Sequence, residues 1–580
     1  MTNQEIAGIL YEIGAYLDMA DVSFKPRAYE KAAEIISSLP DSLSDVYKKE
    51  GTSGIKKIPS VGASIAETIE ELIKTGKSKY HKELKQKTPV DLSNLTRVEG
   101  LGPRKIKMLY HKLGIKNLKD LEFAAKKGKI GKLAGFGAKS ETNILKGLEF
   151  LKKSGGRFLL SEVLPLAREI ERRLNNIAGV KKVQIAGSVR RGKETIGDID
   201  ILIISNDADK VMEYFVKMPE VGRVLARGDT KSSVTLKKGL DVDVRVLSEK
   251  SYGSALAYFT GSKDHNVAMR QLAIKMGYKL SEYGLFKGQK QVAGKNEEEI
   301  YKILGLDYVE PELREMTGEI EVARKHQLPE LIKYGDLRGD LQIQTNWSDG
   351  KNSIEEMALA AMKIGLEYIV ITDHTKRLAM TNGLDARRIV QQGKEIDRVN
   401  QKLKIQNSKL VILKGSECDI LKDGSMDLPD EVLKDLDVVG ASVHSYFNLS
   451  EEEQTNRIQK AMRNPHVDIL FHPTGRLINR REAYAVDVDA IIRTAKEAKT
   501  IMEIDAFPDR LDIKDEYIKR CVDGGVKMSI DSDAHDISHL SVLEFGIMQA
   551  RRGWAGRGDI INAHPLREML RYLKGRGGDK

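Results

Sequence analysis

Cysteine is almost absent from this chain of 580 residues, in which Cys418 and Cys521 are the two that occur. Two cysteines cannot form a disulfide framework, so the class of small disulfide-stabilised secreted domains is excluded and a reducing cytosol is favoured. No apolar run reaches the roughly twenty residues of a membrane span. The start of the chain has no basic segment followed by an apolar one, so we expect a cytoplasmic protein without a secretory signal.

Length and charge narrow the class of protein further. The chain is long enough for roughly three to five domains, and its 41% hydrophobic content permits packed cores. The formal net charge is +10. A mild basic excess is weak evidence by itself, but together with the phosphate-handling motifs described next it favours a nucleic-acid partner.

The most informative stretch runs from Gly187 to Ile204, where a basic glycine turn precedes a hydrophobic strand with two acids. Asp198 and Asp200 are two residues apart, so a strand places both on one face. Two carboxylates this close repel each other unless a divalent cation lies between them. A second alternating segment supplies Asp243, and a third carboxylate would complete a two-metal site for phosphoryl or nucleotidyl transfer.

The alternative to a metal site is an exposed edge strand that carries two surface acids. That interpretation explains neither the third acid nor the turn Gly187-Ser188-Val189-Arg190-Arg191-Gly192, which is suited to hold phosphates. Asp241 also lies on the acidic face, and we rank it below Asp243 as a ligand.

The first 150 residues are predicted to be mainly helical, and they contain three similar glycine turns that each precede an amphipathic helix. Such turns let the backbone approach a partner closely, and the helix N-terminus that follows offers free N–H groups to a phosphate. They look like helix-hairpin-helix elements, which contact DNA backbones, although each could instead be an ordinary packing corner. The candidate DNA-binding residues of these turns are Gly62, Gly100, Gly102, Lys105, Gly135 and Gly137.

The C-terminal region alternates short apolar strands with helical segments. The predicted strands are Leu341–Thr345, Tyr368–Asp373, Lys409–Lys414, Val438–His444, Val467–Phe471, Thr500–Ile504 and Lys527–Ile530. This alternation predicts a parallel sheet or barrel, in which active residues gather at the C-terminal ends of the strands. The metal-type residues at those ends are Asp349, His374, Glu417, His444, His472, Asp533 and His535. One histidine is more often structural, but four of them with three acids at one end indicate a metal centre.

Several motifs together resemble family X DNA polymerases, the group of polymerase beta. They are Gly187-Ser188-Val189-Arg190-Arg191-Gly192, Gly197-Asp198-Ile199-Asp200, Asp243-Val244-Arg245 and Tyr258-Phe259-Thr260-Gly261-Ser262. Trp347-Ser348-Asp349-Gly350, Thr372-Asp373-His374 and Asp533-Ala534-His535 resemble the PHP phosphoesterase family. Nearly the whole chain thus resembles the bacterial and archaeal PolX type, a polymerase joined to a PHP domain.

The resemblance implies a multidomain fold: an α-helical N-terminal region with helix-hairpin-helix elements, an α/β nucleotidyltransferase palm with a thumb, and a distorted (βα)7 PHP barrel with a trinuclear metal site. The implied domains are an N-terminal DNA-binding domain (1–90), fingers (91–152), palm (153–245), thumb (246–317), a linker (318–337) and the PHP domain (338–575). The implied partners are gapped or primer–template DNA and dNTPs, and we expect a monomer.

The family's functional residues carry over position by position. Asp198, Asp200 and Asp243 become the catalytic carboxylates for Mg²⁺ or Mn²⁺, and the PHP residues become ligands of Mn²⁺ or Zn²⁺. The implied nucleotide-binding residues are Arg157, Gly187, Ser188, Arg191, Gly197, Tyr258, Phe259, Gly261, Asn266 and Arg270. The implied activity is template-directed filling of short gaps in DNA repair, with 3′-5′ exonuclease action by the PHP domain.

The N-terminal region departs from the family at one helix. Lys25 and Tyr29 fall where the family binds a downstream 5′-phosphate, but the lysine that forms a Schiff base is replaced by Thr68, and Ser64 stands at another basic position. Threonine cannot form an imine, so we expect gap binding without the usual lyase chemistry at this position.

The PHP region also departs from its family, because Gln342 and Gln344 replace two histidine ligands of the first motif. A glutamine carbonyl is a weaker ligand than imidazole, so one metal is expected to be weak or absent. The domain is then an active nuclease with altered metal occupancy, a weak nuclease or a structural module. Alternatives for the whole chain are a template-independent nucleotidyltransferase and a non-catalytic DNA-end binding protein.

Overall fold

The computed structural model describes residues 1–573 except residues 2, 38, 40, 41, 97, 99, 100, 154 and 155. The chain divides into two units. Unit 1 contains Met1–Val189, Thr195–Ser248 and Asn479–Arg481, and unit 2 contains Arg190–Glu194, Glu249–Ile478 and the chain from Glu482 onwards. Among the helices that are described, none combines the length and the apolar character needed to cross a membrane.

The N-terminal part of unit 1 is helical, as predicted. Its helices are α1 Asn3–Met19, α2 Lys25–Ser37, α3 Leu43–Lys56, α4 Ala63–Thr75, α5 Lys79–Lys87, α6 Leu92–Leu95, α7 Pro103–Leu113, α8 Leu118–Lys126 and α9 Ala138–Lys153. Gly62, Gly102 and Gly137 directly precede α4, α7 and α9, and each glycine carbonyl accepts a backbone hydrogen bond from the residue four positions on. The three similar turns therefore have the same place in the structure, immediately before a helix N-terminus.

The rest of unit 1 is an α/β module. Its elements are β1 Phe158–Leu159, α10 Leu160–Asn175, β2 Val180–Ile185, α11 Gly187–Arg190, β3 Thr195–Ile196, β4 Asp198–Ser205, α12 Ala208–Val216, β5 Val221–Arg227, β6 Lys231–Leu236 and β7 Asp241–Leu247. The main sheet has the order β2-β4-β7-β6-β5, and within it β4 and β7 pair in parallel. Ile199, Ile201, Val242 and Val244 are fully buried, so the alternation in these two strands turns apolar residues to the core.

Unit 2 begins with a small mixed region. Its elements are α13 Tyr252–Thr260, α14 Lys263–Lys275, β8 Lys279–Ser281, β9 Gly284–Lys287, β10 Lys290–Ala293, α15 Glu297–Ile303 and α16 Glu319–Arg324. The stretch 318–337, predicted as a linker, contains α16 and is packed rather than open. Ala323 and Leu331 are buried in the same apolar cluster as Leu285 and Trp554, because a few apolar side chains in this polar segment meet an apolar surface.

The remainder of unit 2 is an alternating strand–helix region. Its elements are β11 Gly339–Ile343, α17 Ile354–Lys363, β12 Tyr368–Ile371, α18 Ala386–Ile405, β13 Val411–Asp419, α19 Asp430–Leu433, β14 Val438–Ser442, α20 Glu451–Met462, β15 Ile469–Leu470, α21 Val488–Ala498, β16 Ile501–Asp505, α22 Asp515–Gly524, β17 Met528–Asp531, α23 Leu543–Arg552 and α24 Leu566–Met569. Each strand from β11 to β17 pairs in parallel with the next. A parallel bridge between Ile343 and Ala534 joins the two ends of the sheet, so the predicted barrel is confirmed and nearly closed.

Both faces of the barrel strands are buried, as parallel sheets require. In β12, Tyr368 and Val370 belong to one apolar cluster and Ile369 and Ile371 to another. The main difference from the predicted strands is β13, which continues five residues past Lys414 to Asp419. Residues 411–414 pair with β12, whereas 415–419 pair with β14. This extension is not predicted from the sequence Gly415-Ser416-Glu417, because that sequence is polar and an apolar run is the usual signal of a buried strand.

Candidate metal centres and nucleotide-binding residues

Three acids meet on one face of the unit 1 sheet because β4 and β7 run side by side. Asp200 is the register partner of Asp243, and Asp198 is the partner of Asp241. Lys231, on β6, places its Nζ 3.0 Å from Oδ2 of Asp243. This lysine was not predictable from the sequence, because only the antiparallel pairing of β6 with β7 brings it to the acids.

The acidic cluster has the electrostatics of a cation site. Burial, followed by the charges of Asp198 and Asp243, raises the pKa of Asp200 to about 6. The positive charge of a divalent cation between the carboxylates would offset both effects, and carboxylate oxygens are the ligands that Mg²⁺ and Mn²⁺ prefer. The donor set therefore fits such an ion. Asp241 is engaged differently, since its carboxylate accepts a 2.6 Å hydrogen bond from the Thr235 hydroxyl.

Gly187 directly supports the position of Asp200. Its φ is +62°, and a Cβ at this position would lie 2.5 Å from Oδ2 of Asp200. Any other residue would therefore strain the backbone and displace the carboxylate. The glycine that opens the predicted phosphate turn thus also makes room for a predicted metal ligand.

The two arginines predicted to bind the triphosphate lie in different units. In unit 1, Arg157 donates from Nε to the Thr195 hydroxyl at 3.0 Å. Its guanidinium lies against Gly197, where an added Cβ would be 3.0 Å from Nη1. In unit 2, Arg191 donates from Nε to Oε1 of Glu315 at 2.9 Å and from Nη1 to the Thr260 carbonyl. The glutamate was not visible as a partner from sequence. Ser188 lies in α11 of unit 1 and is half-buried.

The remaining nucleotide-binding candidates lie at the junction of α13 and α14. The Tyr258 and Phe259 rings pack edge to face with centroids 5.1 Å apart. Asn266 donates from Nδ2 to the Tyr258 carbonyl at 2.6 Å, and both residues line one pocket with Arg270. Gly261 caps the C-terminus of α13. The structure thus brings these predicted residues together within unit 2.

The N-terminal candidates fall at two places. Lys25, Tyr29 and Gly62 line one cleft of about 690 Å³, which Lys56 and Lys57 also line. The second and third turns are neighbours, because Lys105 Nζ lies 5.9 Å from the centre of the Phe136 ring, between Gly135 and Gly137 in the chain. Gly102 precedes α7, and Gly100 lies outside the described residues.

In the barrel, the predicted ligands converge at the C-terminal ends of the strands. Nε2 of His374 and Nε2 of His535 each lie 3.7 Å from Oδ1 of Asp349. A second group forms around Glu417, whose Oε1 is 3.0 Å from Nε2 of His444 and 2.8 Å from Nε2 of His472. The ligand atoms of Asp349, His374 and His535 form one set and those of His374, Glu417 and His444 form a second, and both sets have the composition of divalent metal sites.

Glu417 holds this cluster together electrostatically. Its burial alone would raise its pKa, but His374 and His444 outweigh that effect and hold the pKa of Glu417 well below its usual range. His444 shows the reciprocal effect: burial opposes its charged form, yet Glu417 and Asp419 raise the pKa of His444 to about 9. A metal cation bound to Glu417 would replace the positive charge that protonated histidines otherwise supply to this carboxylate.

The position expected for a third metal does not fit one. Gln344 donates from Nε2 to Oε2 of Glu417 at 2.8 Å, so an amide N–H group faces the carboxylate where a ligand would face a cation. Neither side-chain polar atom of the buried Gln342 has a hydrogen-bond partner. Asp533 is instead 3.6 Å from the guanidinium of Arg510, which the sequence analysis did not single out.

Family models match four consecutive stretches of the chain. A helix-hairpin-helix domain matches residues 1–78, and a SAM-like helix-hairpin-helix tandem matches residues 92–149. The DNA polymerase beta palm matches residues 158–254, and the DNA polymerase beta thumb matches residues 255–315. The palm model includes Asp198, Asp200 and Asp243.

Individual proteins extend the likeness to the full length. The DNA polymerase/3′-5′ exonuclease PolX of Bacillus subtilis (strain 168) is 39% identical over 579 residues, 99% of this chain and 100% of the relative. A probable phosphatase of Thermoanaerobacter sp. (strain X514) is 32% identical over 236 residues, 38% of this chain and 88% of the relative. DNA polymerase lambda of Arabidopsis thaliana is 26% identical, over 54% of this chain and 61% of the relative.

The contact between Gly187 and Asp200 leads to a prediction. Gly187→Ala should weaken Mn²⁺ binding about 10- to 100-fold at the acidic cluster, because the new methyl group displaces the carboxylate, and should cost about 1–3 kcal/mol of stability. Gly179→Ala is the matched control: its φ is +94°, but nothing lies within 4 Å of its Cβ position. The control should share the stability loss and keep the Mn²⁺ affinity. Titration followed by electron paramagnetic resonance measures the affinity, and equal affinities in the two variants would contradict the assignment.

Proposed function

This chain belongs to the bacterial PolX type of family X DNA polymerases, and from that premise we propose that it fills short gaps in DNA by two-metal nucleotidyl transfer. The observation that carries the proposal is the parallel pairing of β4 with β7, which sets Asp200 beside Asp243. The alternative of a DNA-end binding protein without catalysis leaves this acidic face unexplained.

In the proposed reaction, Asp198, Asp200 and Asp243 would hold Mg²⁺ or Mn²⁺, which when bound neutralises the charge that develops at the phosphate. Asp243 helps to activate the primer 3′-hydroxyl. The hydroxyl oxygen attacks the α-phosphorus of the dNTP, a phosphodiester bond forms, and the bond to pyrophosphate breaks. The roles of these three residues are proposals supported by the matching palm model.

The nucleotide-binding roles are proposed on the same basis. Arg157, Ser188 and Arg191 bind the triphosphate, since charge-assisted hydrogen bonds from arginine suit phosphate oxygens. Tyr258 and Phe259 pack on the nucleotide sugar. The proposed nucleotide-binding residues also include Gly187, Gly197, Gly261, Asn266 and Arg270.

For the barrel we propose metal-dependent 3′-5′ exonuclease activity. One ion would be held by Asp349, His374 and His535 and another by Glu417, His444 and His472, with Mn²⁺ or Zn²⁺ as the metal. A bound ion of this kind supplies an activated water for phosphodiester hydrolysis. The competing interpretation is a weak or structural barrel, and the assay below separates the two.

The proposed partners are gapped or primer–template DNA and dNTPs. The helix-hairpin-helix models and the basic cleft at Lys25 and Tyr29 support DNA binding. We further propose that the protein acts as a monomer in the cytoplasm, as suits a relative of a bacterial DNA polymerase. Sedimentation of the protein with gapped DNA tests whether it acts as a monomer, because a second copy adds 64.8 kDa to the mass of the complex.

A crossed assay tests the two activities separately. Asp243→Asn should lower dNTP incorporation into gapped DNA about 10²–10³-fold, because a charged ligand of the transition-state site is lost, while 3′-end digestion with Mn²⁺ stays intact. His374→Ala should show the reverse, with digestion reduced at least about 100-fold.

Three outcomes of the crossed assay would contradict the proposal. Incorporation that survives Asp243→Asn removes the palm assignment. Digestion that survives His374→Ala removes the nuclease assignment of the barrel. Equal incorporation with a single-stranded primer and with gapped DNA favours a template-independent transferase.

The two glutamines of the barrel lead to a metal-content prediction. The wild type should bind about two ions in the barrel, and the double variant Gln342→His, Gln344→His about three, because imidazole restores the missing ligands. Elemental analysis after dialysis measures the content, and Asp243→Asn serves as the background to suppress the palm site. An unchanged metal content in the double variant would show that these positions do not limit binding.

The N-terminal cleft leads to a prediction about lyase chemistry. Thr68 bonds back to the Ser64 carbonyl at 3.0 Å and carries no amine, so we propose that α4 forms no imine with an abasic site. Borohydride should trap no adduct that depends on α4 in the wild type, whereas Thr68→Lys should allow one. Trapping in the wild type that disappears on changing residues of α4 would overturn this.

A further inference from the structure

The turn between Arg190 and Glu194 is held by side chains from the C-terminal region (residues 338–573). Arg552, the last residue of α23, donates from Nη1 to the backbone carbonyl of Arg191 at 2.9 Å. Arg476 donates from Nη2 to Glu194 at 2.7 Å. These contacts lie within unit 2, and they join the barrel to the turn that carries a proposed triphosphate ligand.

Arg552 is also connected to the side chain of Arg191, because both arginines donate to the same carboxylate. Oε1 of Glu315 accepts from Arg552 Nη1 at 3.1 Å and from Arg191 Nε at 2.9 Å. On its other side Arg552 donates to Asp515. A chain of alternating charges therefore runs from Asp515 through Arg552 and Glu315 to Arg191.

The burial of this network indicates a geometric role. The Arg552 side chain is 3% exposed, and a buried ion pair is weak evidence for stability because desolvation offsets most of the attraction. Such a network instead fixes the positions of its hydrogen-bonding groups. When Arg191 turns to a triphosphate, Glu315 keeps Arg552 as a partner and is not left as an unpaired buried charge.

A second contact of the same kind occurs in unit 1. Asn479, from the segment of the C-terminal region that belongs to this unit, donates from Nδ2 to the backbone carbonyl of Arg157 at 3.1 Å. Arg157 is the other arginine proposed to bind the triphosphate. Two independent side chains of the C-terminal region thus bond to the carbonyl oxygens of the two arginines.

We propose that Arg552 and Asn479 are positioning residues for polymerisation: within unit 2 Arg552 orients Arg191, and within unit 1 Asn479 orients Arg157. The proposal rests on the polymerase function proposed above. Bidentate contacts to phosphate depend on geometry, and a misplacement of about 1 Å can cost about 10²-fold in rate or affinity. The barrel therefore has a task in nucleotide addition besides any nuclease activity.

The test compares dNTP affinity with turnover in single-nucleotide gap filling by the full chain. Arg552→Met keeps an unbranched side chain that matches the apolar stem of arginine and removes its donors, so the Kd for dNTP should rise about tenfold while the maximal rate changes less than threefold. Arg552→Lys keeps the charge and one donor nitrogen and should recover part of the affinity. Asn479→Ala should raise the Kd in the same direction without touching the charged network.

Arg520→Met is the matched control, since Arg520 pairs with Asp489 on a more exposed face of the same region. It should leave the dNTP Kd unchanged. If Arg552→Met loses cooperative thermal unfolding, Arg552→Lys and Asn479→Ala decide the question.

The possible outcomes separate this inference from the function on which it rests. A wild type that incorporates no nucleotide refutes the polymerase function. The positioning role alone is refuted if the wild type incorporates nucleotides and the folded variants bind dNTP with the same Kd as the wild type. The variants that must show this are Asn479→Ala and either Arg552→Met or Arg552→Lys. A melting temperature that falls while the dNTP Kd stays constant shows a purely structural contact and also refutes it.

Discussion

The parallel pairing of β4 with β7 is the constraint on which the proposed nucleotide-addition site depends. It sets Asp200 against Asp243, and like charges this close are tolerated only with compensation. Part of that compensation is visible in Lys231 at 3.0 Å from Asp243, and part in the raised pKa of Asp200. The apolar residues on the other face are what hold the strands together against this repulsion, since Ile199 and Val242 are fully buried. The same alternation of side chains therefore buries the apolar face of the sheet and gathers the acids of the proposed cation site on the other face.

In the barrel, the pKa of Glu417 shifts in the opposite direction. This carboxylate is surrounded by imidazoles, so its pKa falls where that of Asp200 rises. The difference follows from the ligand types that each centre uses. A cluster of oxygen donors is suited to Mg²⁺ or Mn²⁺ carried in with a nucleotide, whereas mixed nitrogen and oxygen donors are suited to a resident transition metal.

Much of this architecture could be predicted from the sequence, because hydrophobic periodicity reports which elements are buried. All seven barrel strands and the parallel connection were predicted in this way, and the spacing of Asp198 and Asp200 placed both acids on one face. The polar half of β13 was not predictable, because Glu417 lies in a strand that lacks an apolar run. The hydrogen bonds of Arg191 to Glu315 and of Arg157 to Asn479 were also not predictable. They join residues separated by 124 and 322 positions, and a local sequence pattern does not indicate such distant pairs.

The two glutamines of the first barrel strand show how a metal centre can lose ligands without losing its fold. Removal of two imidazoles would ordinarily leave Glu417 as a buried carboxylate short of partners, at a cost of several kcal/mol. Here the Gln344 amide donates to one carboxylate oxygen, while His444 and His472 contact the other. Every oxygen of Glu417 is therefore satisfied by the protein itself. The ligands of the remaining donor sets come from the loop after β11, from β12 to β17 and from the residues that follow those strands. Glu417 is the ligand that Gln344 contacts. The barrel can thus remain folded, keep the donor sets proposed for two metals and support the turn at Arg191 whether or not a third ion binds.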